Sequence, residues 1–250
     1  MVERIATRLH LPAALVAGSA VELDAAQAHR LRHVLRLAAG AAVAGFNARD
    51  GEFLCRVVEL RRDRGALAVE RRLRAPEPEA GPWLLFAPVK RLRLDWLVEK
   101  GTELGVDAFV PVMTERTQPE RLNRDRLLAH ATAAAEQSER LSVPDIRAPA
   151  RLAGVLAVWP AERRLVLCDE TGGGVPIADA MALLPPGSPA ALLVGPEGGF
   201  AQTELDALGN LPFVTRAGLG PRVLRAETAA LAAVAAFQAI VGDWRRDRRR

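Results

Sequence analysis

The stretch Ala190-Ala191-Leu192-Leu193-Val194-Gly195-Pro196-Glu197-Gly198-Gly199-Phe200 decides how this chain is read. Its five leading apolar residues predict a buried strand. Gly195 to Gly199 cannot continue that strand, because proline has no N–H for a ladder and glycines favour special backbone angles. A helical pattern follows, with Thr203 as its candidate cap and Leu205 and Leu208 on one face. The same progression recurs at Gly218-Leu219-Gly220-Pro221-Arg222-Val223-Leu224-Arg225-Ala226-Glu227-Thr228. That stretch follows a strand at 213–217 and leads into an alanine-rich helix, Glu227 to Val241, marked by Leu231, Val234 and Phe237. Glycine turns at the ends of parallel strands are where an open sheet holds a small ligand. The plain alternative is that both are ordinary connections.

Working outward, strand and helix patterns alternate from Trp83 onward. Trp83–Ala87 reads as a strand, Leu92–Leu104 as a helix stopped by Gly105, and Val106–Val112 as a strand. Asn123–Gln137 and Leu152–Val158 read as helices and Leu165–Cys168 as a strand. This alternation predicts an α/β fold with a parallel sheet covered by helices. Upstream, Arg74 to Pro82 holds three prolines and a glycine, which suits a linker. Before it come a short strand at 4–9, a helix capped by Asp24 and running to Leu37, and strand runs at 41–47, 52–60 and 66–72. Leu31, Val34 and Leu35 form the apolar side of that helix, and one helix with several short strands suggests a small barrel. The resulting division is 1–73, a linker at 74–82, 83–244, and a basic tail at 245–250.

Half the residues are hydrophobic, enough for a sizeable core, and the formal charge is +4 with a pI near 9.9. The charge is uneven: residues 1–75 hold 13 Lys/Arg against 8 Asp/Glu, and the tail supplies a further basic cluster. A polyanionic partner fits that distribution, as does a merely solvated charged surface. Cys55 and Cys168 form no CxxC, so buried thiols in a reduced cytoplasmic protein are expected. No early apolar segment resembles a signal peptide, and no run of about 18 apolar residues suggests a membrane span. His29 and His33 are four apart on one helix. Zinc would need further ligands that no HExxH motif or cysteine cluster supplies, so no metal is expected.

Other nucleotide and hydrolase chemistries lack their motifs. There is no GxxxxGK[ST] for a phosphate loop. Gly172-Gly173-Gly174 is not GxGxxG and reads as a flexible loop. Ser188, near a glycine turn, has no nucleophile-elbow sequence around it.

The pair GPEGGF and LGPRVLRAETA resembles the signature of the bacterial 16S ribosomal RNA uracil-N(3)-methyltransferases, knotted enzymes that use S-adenosylmethionine. The resemblance runs nearly the whole chain. It includes AHRLRHVLRLAAG, similar to the start of the family's PUA-like RNA-binding domain. It also takes in Lys100 to Val106, Thr114 to Thr117, and Ala135 to Arg140 followed by Val143-Pro144. Glu139 departs from the family pattern, which often has glycine there. The resemblance implies a C-terminal trefoil knot, a homodimer built through the C-terminal domain, and 16S ribosomal RNA of the small subunit as substrate.

A cofactor slot would then be walled by Gly195, Pro196, Glu197 and Gly198 on one side and Leu219, Gly220 and Leu224 on the other, with Leu193, Leu167 and Cys168 nearby. The acceptor, an imino nitrogen of uracil, must lose a proton, and negative charge then develops on the uracil oxygens. Arg225 is the first candidate to stabilise that charge, against an ion pair with Glu227, and Arg116 is the second. His29, Arg30, Arg36, Glu136, Gln137 and Arg140 are candidates for RNA contact or for ordering the polar groups around it. Two alternatives stay open: a knotted methyltransferase with another RNA target, and a nonenzymatic RNA-binding module.

Overall fold

The computed structural model describes residues 4–79, 81–117, 122–185 and 187–245; the tail beyond Arg245 lies outside them. The chain divides into two compact units, Met1–Pro78 with Ala135–Val143, and Glu79–Ala134 with Pro144–Arg250.

The first unit opens with strands β1 (Arg8–His10) and β2 (Ala20–Leu23) and helix α1 (Ala25–His29). Three longer strands follow, β3 (Ala42–Asn47), β4 (Gly51–Leu60) and β5 (Gly65–Arg74). They form one sheet in the order β1-β3-β4-β5-β2, with β1 parallel to β3 and the other pairs antiparallel. Among the described residues no ladder joins β1 to β2. Leu9, Leu11, Val21, Leu31, Val43, Phe53, Val57 and Leu67 fill its core.

Asp24 caps α1 as expected: its carboxylate accepts the Gln27 N–H at 2.8 Å while Gln27 Oε1 accepts the Asp24 N–H. The helix does not then run to Leu37. Residues 30–34 form a π turn, closed by Leu35 N–H on Arg30 O at 2.9 Å, and Arg36 ends it in the left-handed region at φ 55°. The wider turn shifts the side-chain period, so Leu31 is buried while Val34 and Leu35 face solvent.

The segment 135–143, read as part of the second domain, belongs to this unit. The last-turn carbonyls of a helix lack intrahelical partners. Here Arg8 supplies them: Nη1 donates to Ala135 O and Glu136 O at 3.0 Å, and Nη2 to Arg140 O at 2.9 Å. Arg8 Nε also binds Glu52 at 2.6 Å, and its guanidinium lies 4.1 Å from the Phe46 ring centre.

The second unit is the α/β sheet. Its strands are β6 (Trp83–Phe86), β7 (Ala108–Met113), β8 (Asp145–Ile146), β9 (Ala150–Arg151), β10 (Arg164–Cys168), β11 (Val175–Pro176), β12 (Ala190–Val194) and β13 (Val214–Gly218). The order is β11-β13-β10-β12-β6-β7-β8, with β9 on β7, and every ladder is parallel. Its helices are α2 (Arg91–Glu103), α3 (Arg124–Gln137, ending in the first unit), α4 (Leu152–Ala157), α5 (Ile177–Ala182), α6 (Gln202–Gly209) and α7 (Ala226–Ile240).

Leu85, Val110, Leu165, Leu167, Leu193, Phe200 and Leu205 share one core. α7 and the turn after it, 226–245, are long and apolar enough to cross a membrane, at mean hydropathy 1.2. The helix is nevertheless a core element: it packs on α2, α5, β12 and β6, burying Ala230, Ala233, Val234 and Gln238. At the opposite end of β6 from the turns, the Trp83 ring carries two guanidinium groups, Arg147 at 3.7 Å and Arg163 at 3.6 Å from its centre. Two groups that close to one ring centre must occupy opposite faces. Trp159 meets Trp83 edge-on at 6.1 Å and stacks on Phe213 at 5.6 Å.

Candidate active site

β10 lies between β12 and β13, so the carboxyl ends of these three strands stand side by side. Strand order changes direction there, which in open α/β sheets is where ligands bind. The loops leaving these strands are tied together. Phe200 N–H donates to Glu170 Oε1 at 3.1 Å, joining the loop after β12 to the loop after β10. Asp169 N–H donates to Ala217 O at 2.8 Å, and the Asp169 carboxylate binds Arg216 Nε at 2.9 Å, joining β10 to β13. Burial works to raise the Asp169 carboxyl, but donation from Thr171 and from Arg216 outweighs it and holds the group below its ordinary value.

The first glycine turn is closed by Gly199 N–H on Pro196 O at 2.9 Å. Gly199 has φ 69°, and a Cβ there would stand 2.1 Å from Glu170 Oε1. Gly198 is the reverse case: its angle is ordinary, and a Cβ would meet only Arg116, at 3.9 Å. Gly198 and Glu197 are exposed, Pro196 half-buried and Gly195 buried. α6 starts at Gln202, so Thr203 is not its cap. Instead Glu204 accepts the Ala201 N–H at 3.0 Å and the Glu115 N–H at 2.8 Å, pinning the loop after β7 to the start of α6. Gly174 is not part of a loose loop either. A Cβ there would lie 2.6 Å from Ala217 N, so only glycine lets that segment approach β13.

Leu167 and Leu193 are adjacent in register and fully buried beneath the turns. Cys168 is enclosed, and burial, with Glu170 nearby, pushes its thiol up to about 12, so it is no nucleophile. In the second turn Leu219 and Leu224 are half-buried and Gly220 is exposed at φ 93°.

Arg225 is the N-cap residue of α7; its carbonyl accepts the Ala229 N–H at 2.8 Å. Its side chain is exposed and, among the described residues, has no hydrogen-bond or ion-pair partner. The Glu227 pairing weighed for it is taken by Arg93, whose Nε stands 3.5 Å from Glu227 Oε1 and whose Nη1 binds Glu197. No sequence motif marked Arg93, because its partners lie 104 or more residues away. Arg116 is exposed and donates to Gly198 O at 3.0 Å.

In the first unit, Glu136 is buried and engaged by Arg30 and by the His10 N–H at 3.0 Å. Arg140 is buried, with Nη2 on Ser142 Oγ at 2.9 Å. Gln137 is exposed, as are His29 and Arg36. The His29 and His33 rings lie 4.9 Å apart, and among the described residues no three His, Cys, Asp or Glu side chains are grouped to hold a metal.

A parallel sheet with two glycine turns at its switch point, flanked by an arginine that has no partner among the described residues, defines an α/β domain of the architecture that takes ligands at its strand ends. A family model described as an RNA methyltransferase domain matches residues 77–238, and the chain belongs to that family. The ribosomal RNA small subunit methyltransferase E of Rickettsia conorii is 29% identical over 234 residues, 91% of this chain and 93% of the relative. Its namesake from Synechocystis sp. is 30% identical over 95% of this chain and 78% of the relative. The structure of the same enzyme from Neisseria gonorrhoeae, bound to S-adenosyl methionine, superposes with TM-score 0.83 at 27% identity, covering 95% of this chain and 99% of that one.

Proposed function

We infer that this protein is an S-adenosylmethionine-dependent methyltransferase acting on ribosomal RNA of the small subunit, and that it methylates N(3) of a uridine in 16S ribosomal RNA. The observation that carries the reading is the gathering of the two glycine turns at the ends of β12 and β13 beside an exposed Arg225 that has no partner among the described residues. The residues present suit the cofactor. Exposed Gly198 leaves space where a side chain would stand, the Gly195–Gly198 and Leu219–Leu224 turns offer backbone groups, and Leu167 and Leu193 give an apolar floor. When bound, S-adenosylmethionine supplies an electrophilic methyl carbon on a positively charged sulfur.

What the chain's own side chains do follows from the acceptor. Uracil N(3) carries a proton and is a poor nucleophile until that proton leaves. The resulting charge spreads onto the flanking carbonyl oxygens, and a preorganised guanidinium aimed at them lowers the barrier. Among the described residues nothing engages the Arg225 side chain, whereas Arg116 is partly committed to the Gly198 carbonyl.

The finer assignments belong to the same proposal. Residues 1–73, with the docked segment 135–143, act as a PUA-like RNA-binding domain, 74–82 as linker, the rest of 83–244 as a knotted methyltransferase domain and 245–250 as a basic tail, in a cytoplasmic homodimer. Support for the knot is the placement of β13 across β10 from β12, which obliges the chain to cross over between them. RNA binding by the first domain is supported by exposed His29, Arg32, His33 and Arg36 around the π turn. The test is mass spectrometry of 16S ribosomal RNA from a deletion strain, followed by methylation of its small subunits with purified protein. Loss of one N(3)-methyluridine and its restoration are expected; an unchanged 16S methylation pattern refutes the target.

A further inference from the structure

Arg93 belongs to neither glycine motif, yet it touches both. Its guanidinium holds Glu197 in the first turn and approaches Glu227 Oε1 at the start of α7, to 3.5 Å. The second Glu227 oxygen, Oε2, is buried and has no hydrogen-bond partner among the described residues, and the side chain as a whole is 9% exposed. A carboxylate withdrawn from water is costly unless donors replace the lost hydration. Here a single guanidinium is shared between two carboxylates, so the cluster carries a surplus of one negative charge. Part of that surplus sits out of water, where a charge reaches further than at a surface.

The other charged groups on the first turn do not cancel it. Asp169 and Arg216 neutralise each other, Arg116 at the Gly198 carbonyl offsets Glu170 at the Phe200 N–H, and Arg225 at the start of α7 is exposed and, among the described residues, pairs with neither Glu197 nor Glu227. An apolar residue at 227 would cap α7 less well but leave no unpartnered buried oxygen. The surplus does suit a ligand that carries positive charge before reaction and none after it. A sulfonium cofactor and its thioether product differ by one methyl group and one charge, so shape alone separates them weakly.

We propose that the Arg93–Glu197–Glu227 cluster discriminates by charge, holding the sulfonium cofactor more tightly than the spent thioether. This rests on the cofactor reading above. The methyl-depleted product then leaves the turns more readily, and fresh cofactor competes for them at lower concentration.

The experiment is calorimetry on the full-length protein, comparing dissociation constants for S-adenosylmethionine and S-adenosylhomocysteine. The wild type is expected to favour the sulfonium. Glu227→Gln is expected to shrink that preference about fivefold or more, mainly by weakening the sulfonium. Glu197→Gln, on an exposed side chain that leaves the core untouched, is expected to shift it the same way. Arg93→Gln removes the positive member and should widen the preference instead, even if both affinities fall. Opposite signs from neighbouring substitutions are not produced by loss of turn geometry alone. Equal binding of the two ligands by the wild type, or variants that weaken both in proportion, overturn the proposal while leaving the cofactor site standing. A wild-type protein that binds neither ligand overturns the cofactor reading itself.

Discussion

Gly198 and Gly199 are neighbours with opposite constraints. Gly199→Ala would force a side chain into a left-handed angle and against Glu170, so a loss of about 1–3 kcal/mol is expected, visible as a lower Tm. Gly198→Ala should melt like the wild type, and Gly198→Val should melt normally yet bind S-adenosylmethionine more weakly by calorimetry. The sequence motif marks both glycines but does not separate them, because neither the backbone angle nor the approach of Glu170 is written in it. Arg225→Ala should retain cofactor affinity and lose single-turnover methylation of small subunits by roughly 10²-fold or more. Near-normal turnover in a folded variant removes its catalytic role. Glu139 sits where the resembling family often has glycine, and the structure supplies the reason: its φ is 62°. Glu139→Gly should therefore stabilise by about 1 kcal/mol, measured by denaturant midpoint.

At the scale of elements, the strongly patterned segments were legible and the short ones were not. Strand 190–194 is found as read, and helices α2, α3 and α7 lie within a residue or so of their expected bounds. β2, β8, β9, β11 and α5 are too short for an apolar period to stand out. The π turn was illegible because Arg30–Val34 has ordinary helical composition and its shift comes from i→i+5 backbone bonding such as Leu35 N–H on Arg30 O. The docking of 135–143 was illegible too, since it hangs on Arg8, more than a hundred residues upstream. Arg8→Ala strips partners from three carbonyls and from buried Glu52, so a loss of about 3–5 kcal/mol is expected. Arg8→Lys should recover little of it, because one ammonium cannot reproduce the fork. Nearby His10 gives the unit a pH dependence. Burial holds its imidazole below the ordinary value, against a smaller opposing pull from Glu136. The unfolded chain thus takes up the proton first, and stability present above pH ~6.5 is lost as pH falls below it. Thermal melts from pH 7.5 to 5.5 should show that decline, and His10→Asn should flatten it.

For the whole molecule, RNA affinity should fall steeply with salt, and Arg32→Ala or Arg36→Ala should each lower the log–log salt slope by about one if they meet phosphates. Point substitutions are the cleaner test, because deleting residues 1–73 would leave buried Glu136 and Leu141 without their packing. A slope unchanged by both would remove the first domain's assigned role. The aromatic cluster around Trp83 has a spectroscopic consequence. The chain has no tyrosine, and its four tryptophans, Trp83, Trp96, Trp159 and Trp244, all fall in the second unit. Ultraviolet emission therefore watches one half of the protein and is blind to the other. An unfolding curve followed by fluorescence reports on the sheet that carries the glycine turns, whereas circular dichroism sums over both units. Where the circular dichroism falls before the emission changes, the first unit has melted while the sheet that carries the glycine turns is still folded.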